Sequence, residues 1–180
     1  MLQATHYYVS TTQTPGSGTS LSPLTLTQAL NKIQSGAEQD VDLRFLPGTY
    51  TITDPNGIRS PYSSNPRRIA LIGVPTGTSM TGECILKWAD NVVGTEPTTD
   101  DRVYEHYFAS TTLDLDRFVL ENLTLDGNFL SQTSVVGPHY REGYKSGAVK
   151  VSAKTGRIRN CVIRNFGAQG IVPWGSTVNA

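Results

Sequence analysis

Four acidic residues and three arginines lie close enough in the chain to build a site: Asp114, Asp116, Glu121 and Asp126 with Arg141, Arg159 and Arg164. Two carboxyl groups cleave a glycosidic bond with retention when they stand about 5 Å apart and with inversion at about 6.5–9.5 Å. Asp114 and Asp116 fall on one side of the strand-like stretch Leu113-Asp-Leu-Asp116 and can reach that spacing, as can either with Asp126. An arginine facing a carboxylate can bind a uronate or orient a sugar through paired hydrogen bonds. The plainer reading of the same residues is a set of surface ion pairs of little energetic value. A second chemistry belongs to His139-Tyr-Arg-Glu-Gly-Tyr-Lys145. Removal of a proton beside a uronate carboxylate needs a base and a cation to hold the developing charge, and His139, Tyr140, Arg141 and Lys145 carry such groups. Tyr140 and Tyr144 add apolar ring faces with polar handles, suited to sugars. The competing reading packs this stretch along the protein's flank or against another subunit. Tyr104-Glu-His-Tyr107, preceded by Asp100 and Asp101, is a similar patch without metal-ligand spacing.

Composition narrows the classes. Fifteen Lys and Arg balance fifteen Asp and Glu in 180 residues, so no net field recruits nucleic acid or an anionic membrane. Hydrophobic residues make up 37% of the chain, enough for a core. Seventeen Gly and ten Pro describe a chain that turns often. Cys84 and Cys161 make neither a disulfide framework nor a metal site. No run of about 18 apolar residues exists, and the opening MLQATHYYVSTTQ has no signal-peptide core. The glycines near Gly16 lack dinucleotide or phosphate-loop spacing, and no cofactor or metal is assigned.

The elements that must position these groups are short. One helix is expected over Leu24 to Ile33, capped by Thr25 or Thr27, with Leu26, Ala29, Leu30 and Ile33 on one stripe. A strand precedes it at Tyr7 to Ser10, and Thr11 to Pro23 reads as a loop. In Val41 to Tyr50, apolar Val41, Leu43 and Phe45 alternate with polar side chains before a Pro47-Gly48 turn. Further strands are expected at Arg68 to Ile72, Cys84 to Trp88, Tyr107 to Ser110, Phe118 to Leu120, Leu123 to Leu125, Ala148 to Ser152, Ile158 to Arg159, Cys161 to Ile163 and Ile171 to Trp174. Such strands without crossover helices leave an antiparallel sandwich or barrel, or a solenoid of parallel strands.

An internal repeat favours the solenoid. Leu120-Glu-Asn-Leu-Thr-Leu-Asp-Gly127 matches Ile158-Arg-Asn-Cys-Val-Ile-Arg-Asn165, and at a shorter offset Gly147-Ala-Val-Lys-Val-Ser152 matches Gly170-Ile-Val-Pro-Trp-Gly175. The pairs interleave, so a rung as long as the step from Gly147 to Gly170 absorbs the wider spacing if residues 132–145 are thrown out as a loop. Leu123 and Leu125 then stack inside on Cys161 and Ile163, and Leu120 on Ile158. Thr124 and Val162 face outward, and Asn122 and Asn160 occupy a bend where side-chain amides satisfy backbone groups. Glu121 and Asp126 stand one rung, about 4.8 Å, from Arg159 and Arg164. Cys161 is inward and inert, and Trp88 and Trp174 are core or end residues rather than sugar platforms. The sequon Asn122-Leu-Thr124 is read as accidental.

With these stretches in place the chain resembles the single-stranded right-handed β-helix proteins, the pectate-lyase-like superfamily that includes phage tailspikes. Tyr7-Tyr-Val-Ser10, the loop Thr14 to Pro23, the helix with Ala29, and Leu46-Pro-Gly-Thr-Tyr50 are similar to that family's N-terminal cap. Gly156 to Asn165 followed by Gly170-Ile171 is similar to its rung. The resemblance implies an all-β fold, a right-handed parallel β-helix (solenoid) with an N-terminal capping helix: residues 1–40 as strand, loop and cap helix, 41–180 as rungs, and 128–146 as a loop, all in one domain. It implies contact with a polysaccharide or surface glycan, outside the cell or on a virion, in the N-terminal part of a polysaccharide lyase or glycoside hydrolase. The alternative is a non-catalytic structural or adhesive β-helix. The catalytic candidates are Asp126, Asp114, Asp116 and His139; the binding candidates are Tyr140, Arg141, Tyr144, Lys145, Arg159 and Arg164. The calcium-binding carboxylates of pectate lyases have no match here. Neither nucleic acid nor membrane is a partner. The last rung calls for a C-terminal continuation or a second copy to cover Val172 and Trp174.

Overall fold

A computed structural model describes residues 5–12, 14–35, 37–54, 57–59, 68–76, 84–92, 106–110, 115–132, 146–166 and 170–173. In chain order the strands are β1 (Thr5–Val9), β2 (Asp40–Phe45), β3 (Gly48–Ile52), β4 (Ile58–Arg59), β5 (Arg68–Gly73), β6 (Cys84–Trp88), β7 (His106–Ser110), β8 (Leu115–Glu121), β9 (Thr124–Asp126), β10 (Ser146–Val151), β11 (Ala153–Arg159), β12 (Val162–Arg164) and β13 (Ile171–Pro173). One helix, α1 (Leu26–Gln34), follows β1. The strands form three parallel, unclosed sheets: β1-β2-β5-β8-β11, β3-β6-β9-β12 and β4-β7-β10-β13. Each turn of the chain gives one strand to each sheet, so β2-β3-β4, β5-β6-β7, β8-β9-β10 and β11-β12-β13 are successive rungs of a solenoid-like stack.

Period-two alternation builds the core. In β2 every second residue is buried, and Leu43, Leu71 and Leu120 lie in one column beneath the half-buried Ile158. Tyr50, Leu86 and Leu125 make the matching column of the second sheet, ending at Ile163. Full burial of each such side chain contributes about 1.5–3 kcal/mol. The expected stacking of Leu120 on Ile158 and Leu125 on Ile163 is therefore present. The bond from the Val162 N–H to the Leu123 carbonyl, 3.0 Å, brings Leu123 beside Cys161. Trp88 is fully buried, as a core residue should be; Trp174 lies outside the described residues.

The bend between the first two sheets is built on asparagine. Asn122 and Asn160 have φ of 56° and 52°, the left-handed region that Asn tolerates better than most residues. Asn160 Nδ2 donates to Asn122 Oδ1 at 3.2 Å, and Asn122 Nδ2 donates to the Gly73 carbonyl at 3.4 Å. A Cβ at Gly73 would collide with the Asn122 carbonyl oxygen, so the ladder needs glycine beneath it.

The first edge is closed by the segment that precedes β2. The Leu24 N–H donates to the Tyr8 carbonyl at 2.7 Å, the Ser10 N–H to the Leu24 carbonyl at 3.0 Å, and the Tyr8 N–H to the Gly18 carbonyl at 2.8 Å. Thr25 caps α1 in a reciprocal capping box with Gln28, and Ala29, Leu30 and Ile33 are buried while Leu26 is half-buried. The helix packs on β1, β2 and β4. Lys32 and Glu38 form a 2.9 Å ion pair, Tyr7 donates its hydroxyl proton to Glu38 at 2.8 Å, and the Lys32 ammonium sits 4.5 Å from the Tyr7 ring centroid.

Two expectations change. The second repeat is one position shorter than the step from Gly147 to Gly170, because Val149 pairs with Ile171 and the Val149 N–H donates to the Gly170 carbonyl. Aligning Gly147 with Gly170 slips the register by one, which would turn every side chain to the opposite face. The short strand β4, against β7, has no counterpart among the expected strands.

Candidate functional site

The acidic and basic candidates meet where rung three faces rung four. Asp126 and Arg164 are register partners in β9 and β12, and Glu121 and Arg159 are partners in β8 and β11. Outward alternation then aligns their side chains, and Arg164 Nε donates to Asp126 Oδ2 at 2.9 Å. Asp126 Oδ1 accepts from the Asn128 N–H at 2.9 Å and from Asn165 Nδ2 at 3.0 Å. Burial opposes ionisation of Asp126, but the hydrogen bonds from Asn128, Asn165 and Arg164 outweigh it and hold the carboxyl below its ordinary range. At neutral pH this group is a carboxylate with both oxygens engaged. It has no proton to give a leaving group, and it already accepts three hydrogen bonds.

Glu121 is 6% exposed on the outer side of β8. Its nearest cation is Arg157, in contact with Oε1, while Arg159 lies 3.8 Å from Oε2. Asp116 takes a third tie, from Lys154 at 2.8 Å, and the Thr155 hydroxyl donates to the Asp116 carbonyl at 2.9 Å. Basic side chains of the last rung thus lean onto acidic ones of the rung before. Thr124 occupies its outward register position yet is only 2% exposed, whereas Val162 beside it is 37% exposed. Sequence reasoning pairs the residues directly opposite and misses Arg157 and Asn165. Arg157 reaches Glu121 diagonally, and Asn165 supports Asp126 from the bend after β12 (φ 57°), a position signalled by the Asn that follows Arg164.

Asp114, His139, Tyr140, Arg141, Tyr144 and Lys145 lie outside the described residues, as do Tyr104 and Glu105. The described residues that flank those segments have defined places in the stack. Asp126 pairs with Arg164 and Val149 with Ile171, so rung three runs from Asp126 to Val149 between the same two register positions that rung four joins by the short step from Arg164 to Ile171. The additional residues lie in the sequence between β9 and β10. In rung two, residues 93–105 likewise separate β6 from β7. The described residues after β6 and after β9 are bonded together: the Asn91 N–H donates to the Ser131 carbonyl at 3.0 Å, the Val92 N–H to Gln132 Oε1 at 3.0 Å, and Gln132 Nε2 to the Ala89 carbonyl at 2.9 Å. Asn128 Nδ2 adds donations to the Trp88 carbonyl at 3.0 Å and to Asp90 at 2.8 Å. The first residues of β7 and β10 also pair, His106 opposite Ser146.

Among the described residues no group of His, Cys, Asp and Glu is placed to hold a metal, and no helix is long and apolar enough to cross a membrane. Cys161 is half-buried, with burial pushing its thiol up, and Cys84 is buried with its Sγ–H directed to the Phe45 carbonyl at 3.1 Å. Neither has the electropositive setting of a nucleophile. Comparison with protein-family models, with curated proteins and with solved structures finds no match.

Proposed function

We propose that this chain is a glycan-contacting right-handed parallel β-helix of the pectate-lyase-like kind, working outside the cell or on a virion. Parallel strands joined by crossovers are right-handed in almost every known case, which supports the hand. The observation that carries the reading is that rungs two and three are joined on both sides of residues 93–105 and 133–145: residues 89–92 are bonded to 131–132, and His106 pairs with Ser146. The sequence between those bonds contains Tyr104 and Glu105 in residues 93–105 and His139, Tyr140, Arg141, Tyr144 and Lys145 in residues 133–145. These side-chain types suit sugars. Arg159 and Arg164 flank the same rungs.

A polysaccharide lyase or glycoside hydrolase is the catalytic form of this reading, with His139, Asp114, Asp116 and Asp126 as its candidate acid-base groups. The non-catalytic form, a structural or adhesive β-helix, is favoured by one specific observation: Asp116, Glu121 and Asp126 are each tied to a basic residue of the next rung. The test is binding of the full chain to a panel of neutral and uronate polysaccharides, scored also for new reducing ends and unsaturated products. Tyr140→Ala and Arg141→Ala should weaken binding by about tenfold each, as expected for stacked or charge-paired contacts. Equal binding by native and substituted chains would remove Tyr140 and Arg141 from the site, and binding without new reducing ends or unsaturated products would exclude both chemistries. Oligomerisation through the last rung is part of the same proposal, checked by sedimentation.

A further inference from the structure

The outer face of the first sheet carries charges that the ion pairs described above do not use up. Its outward positions run Asp40, Asp42 and Arg44 in β2; Arg68, Ala70 and Ile72 in β5; Arg117, Val119 and Glu121 in β8; and Thr155, Arg157 and Arg159 in β11. Five arginines therefore face three acids. Arg44 pairs with Asp42 at 3.4 Å, Arg157 and Arg159 share Glu121, and Arg68 reaches Asp40 only at 3.5 Å with its side chain 57% exposed. Arg117 is exposed and pairs with no acid among the described residues. Its ladder neighbours are Arg68 on one side and Thr155 on the other.

Arg68 and Arg117 are direct register partners, which sets their Cα atoms about 4.8 Å apart. Like charges directly opposite one another destabilise a sheet. An anion between them reverses the sign of that term, because each guanidinium offers a planar fork of donors to the same oxyanion. Beside the pair, Ala70 and Ile72 are half-buried, small or apolar, and flank the buried Val119. A pyranose ring has this division of character, with an apolar C–H face and, in acidic sugars, a charged group at its rim.

We propose that Arg68 and Arg117 form an anion clamp that holds the carboxylate or sulfate of an acidic sugar unit against the outer face of the first sheet. The clamp rests on the glycan-contacting reading and narrows it to an acidic polymer. It lies on β5 and β8, on the outer face of the first sheet.

The experiment titrates the full chain, at low salt, with a hexuronate oligomer, a sulfated oligomer and a neutral glucan oligomer of equal length. The native protein should bind one or both acidic oligomers at least tenfold more tightly than the neutral one; whichever binds better identifies the anion. Arg68→Gln and Arg117→Gln should each weaken acidic binding by about tenfold or more, the value of a lost charge-assisted contact, and leave neutral binding unchanged. Arg117→Lys should fall between, since a lysine keeps the charge and loses the fork. Arg117→Gln should not lower resistance to denaturant, because it relieves a repulsion. Equal binding of acidic and neutral oligomers, or undiminished acidic binding by both Gln variants, overturns the clamp while glycan contact stands. Binding of none of the three overturns both, and tighter binding of a single-stranded oligonucleotide than of any sugar overturns the acidic-sugar assignment.

Discussion

Asp126 shows how a residue that suits catalysis by type is claimed by the scaffold. Its carboxylate accepts from Arg164, Asn165 and the Asn128 N–H, and these bonds lower its pKa despite burial. A group whose folded pKa is depressed stabilises the fold above its unfolded value and loses that contribution as pH falls through the folded pKa. Urea unfolding should therefore weaken below about pH 3.8 in the native chain, and Asp126→Asn should flatten that part of the profile. At pH 7 the same substitution should cost about 1–3 kcal/mol, the range for loss of hydrogen bonds to a charged group. The Asp126–Arg164 pair was legible because an apolar-small-apolar match fixes register, and register fixes which outward residues meet. Arg157 was not, because two arginines on one side of a strand compete for Glu121 and only the packed geometry chooses the diagonal one.

At the scale of elements, α1 was legible from its stripe and its Thr25-x-x-Gln28 box, since both depend on local spacing. Leu30→Ala should cost about 2–5 kcal/mol in denaturant unfolding, and Thr25→Ala about 1 kcal/mol. The clamp of Tyr7, Lys32 and Glu38 adds a pH limit at the other end. Burial, then the Glu38 bond, raises the Tyr7 pKa above its ordinary value, and the bond to Glu38 does the same for Lys32. Groups with raised folded pKa values contribute below their unfolded values and lose that contribution as pH rises through the folded ones. Unfolding monitored above about pH 10 should show the cap loosening, and Tyr7→Phe should remove the tyrosine's share of that loss. The strand β4 escapes detection because so short a stretch as Ile58-Arg59 carries no period. The step from Gly147 to Gly170 misleads because a glycine at both places looks like a register mark, while the ladder is set by Val149 against Ile171.

At the scale of the whole molecule each rung, among the described residues, is bonded only to the rungs beside it, so stability adds through nearest-neighbour terms. Ile163→Ala, in the last rung, should speed amide exchange in β11, β12 and β13 and leave protection in α1 and β2 unchanged. Leu86→Ala, in the second rung, should loosen both of its neighbours. Uniform loss of protection from either substitution would mean that the stack unfolds as one unit. The stack of parallel strands was legible in the sequence because it rests on repeated short strands, which are local. The joining of residues 89–92 to 131–132 was not, because those bonds cross about 40 positions and carry no motif.

The covered first edge also gives the molecule a direction in time. A chain leaves the ribosome from its N-terminus, and Leu24, α1 and β1 are made before any rung they close. Once Tyr8 and Ser10 are bonded to Leu24, the remaining free side of β1 is the one that receives β2, and each completed turn becomes the template for the next. Synthesis and folding then advance the same way, one turn at a time, and the opposite edge of the nascent sheet is never open to another chain.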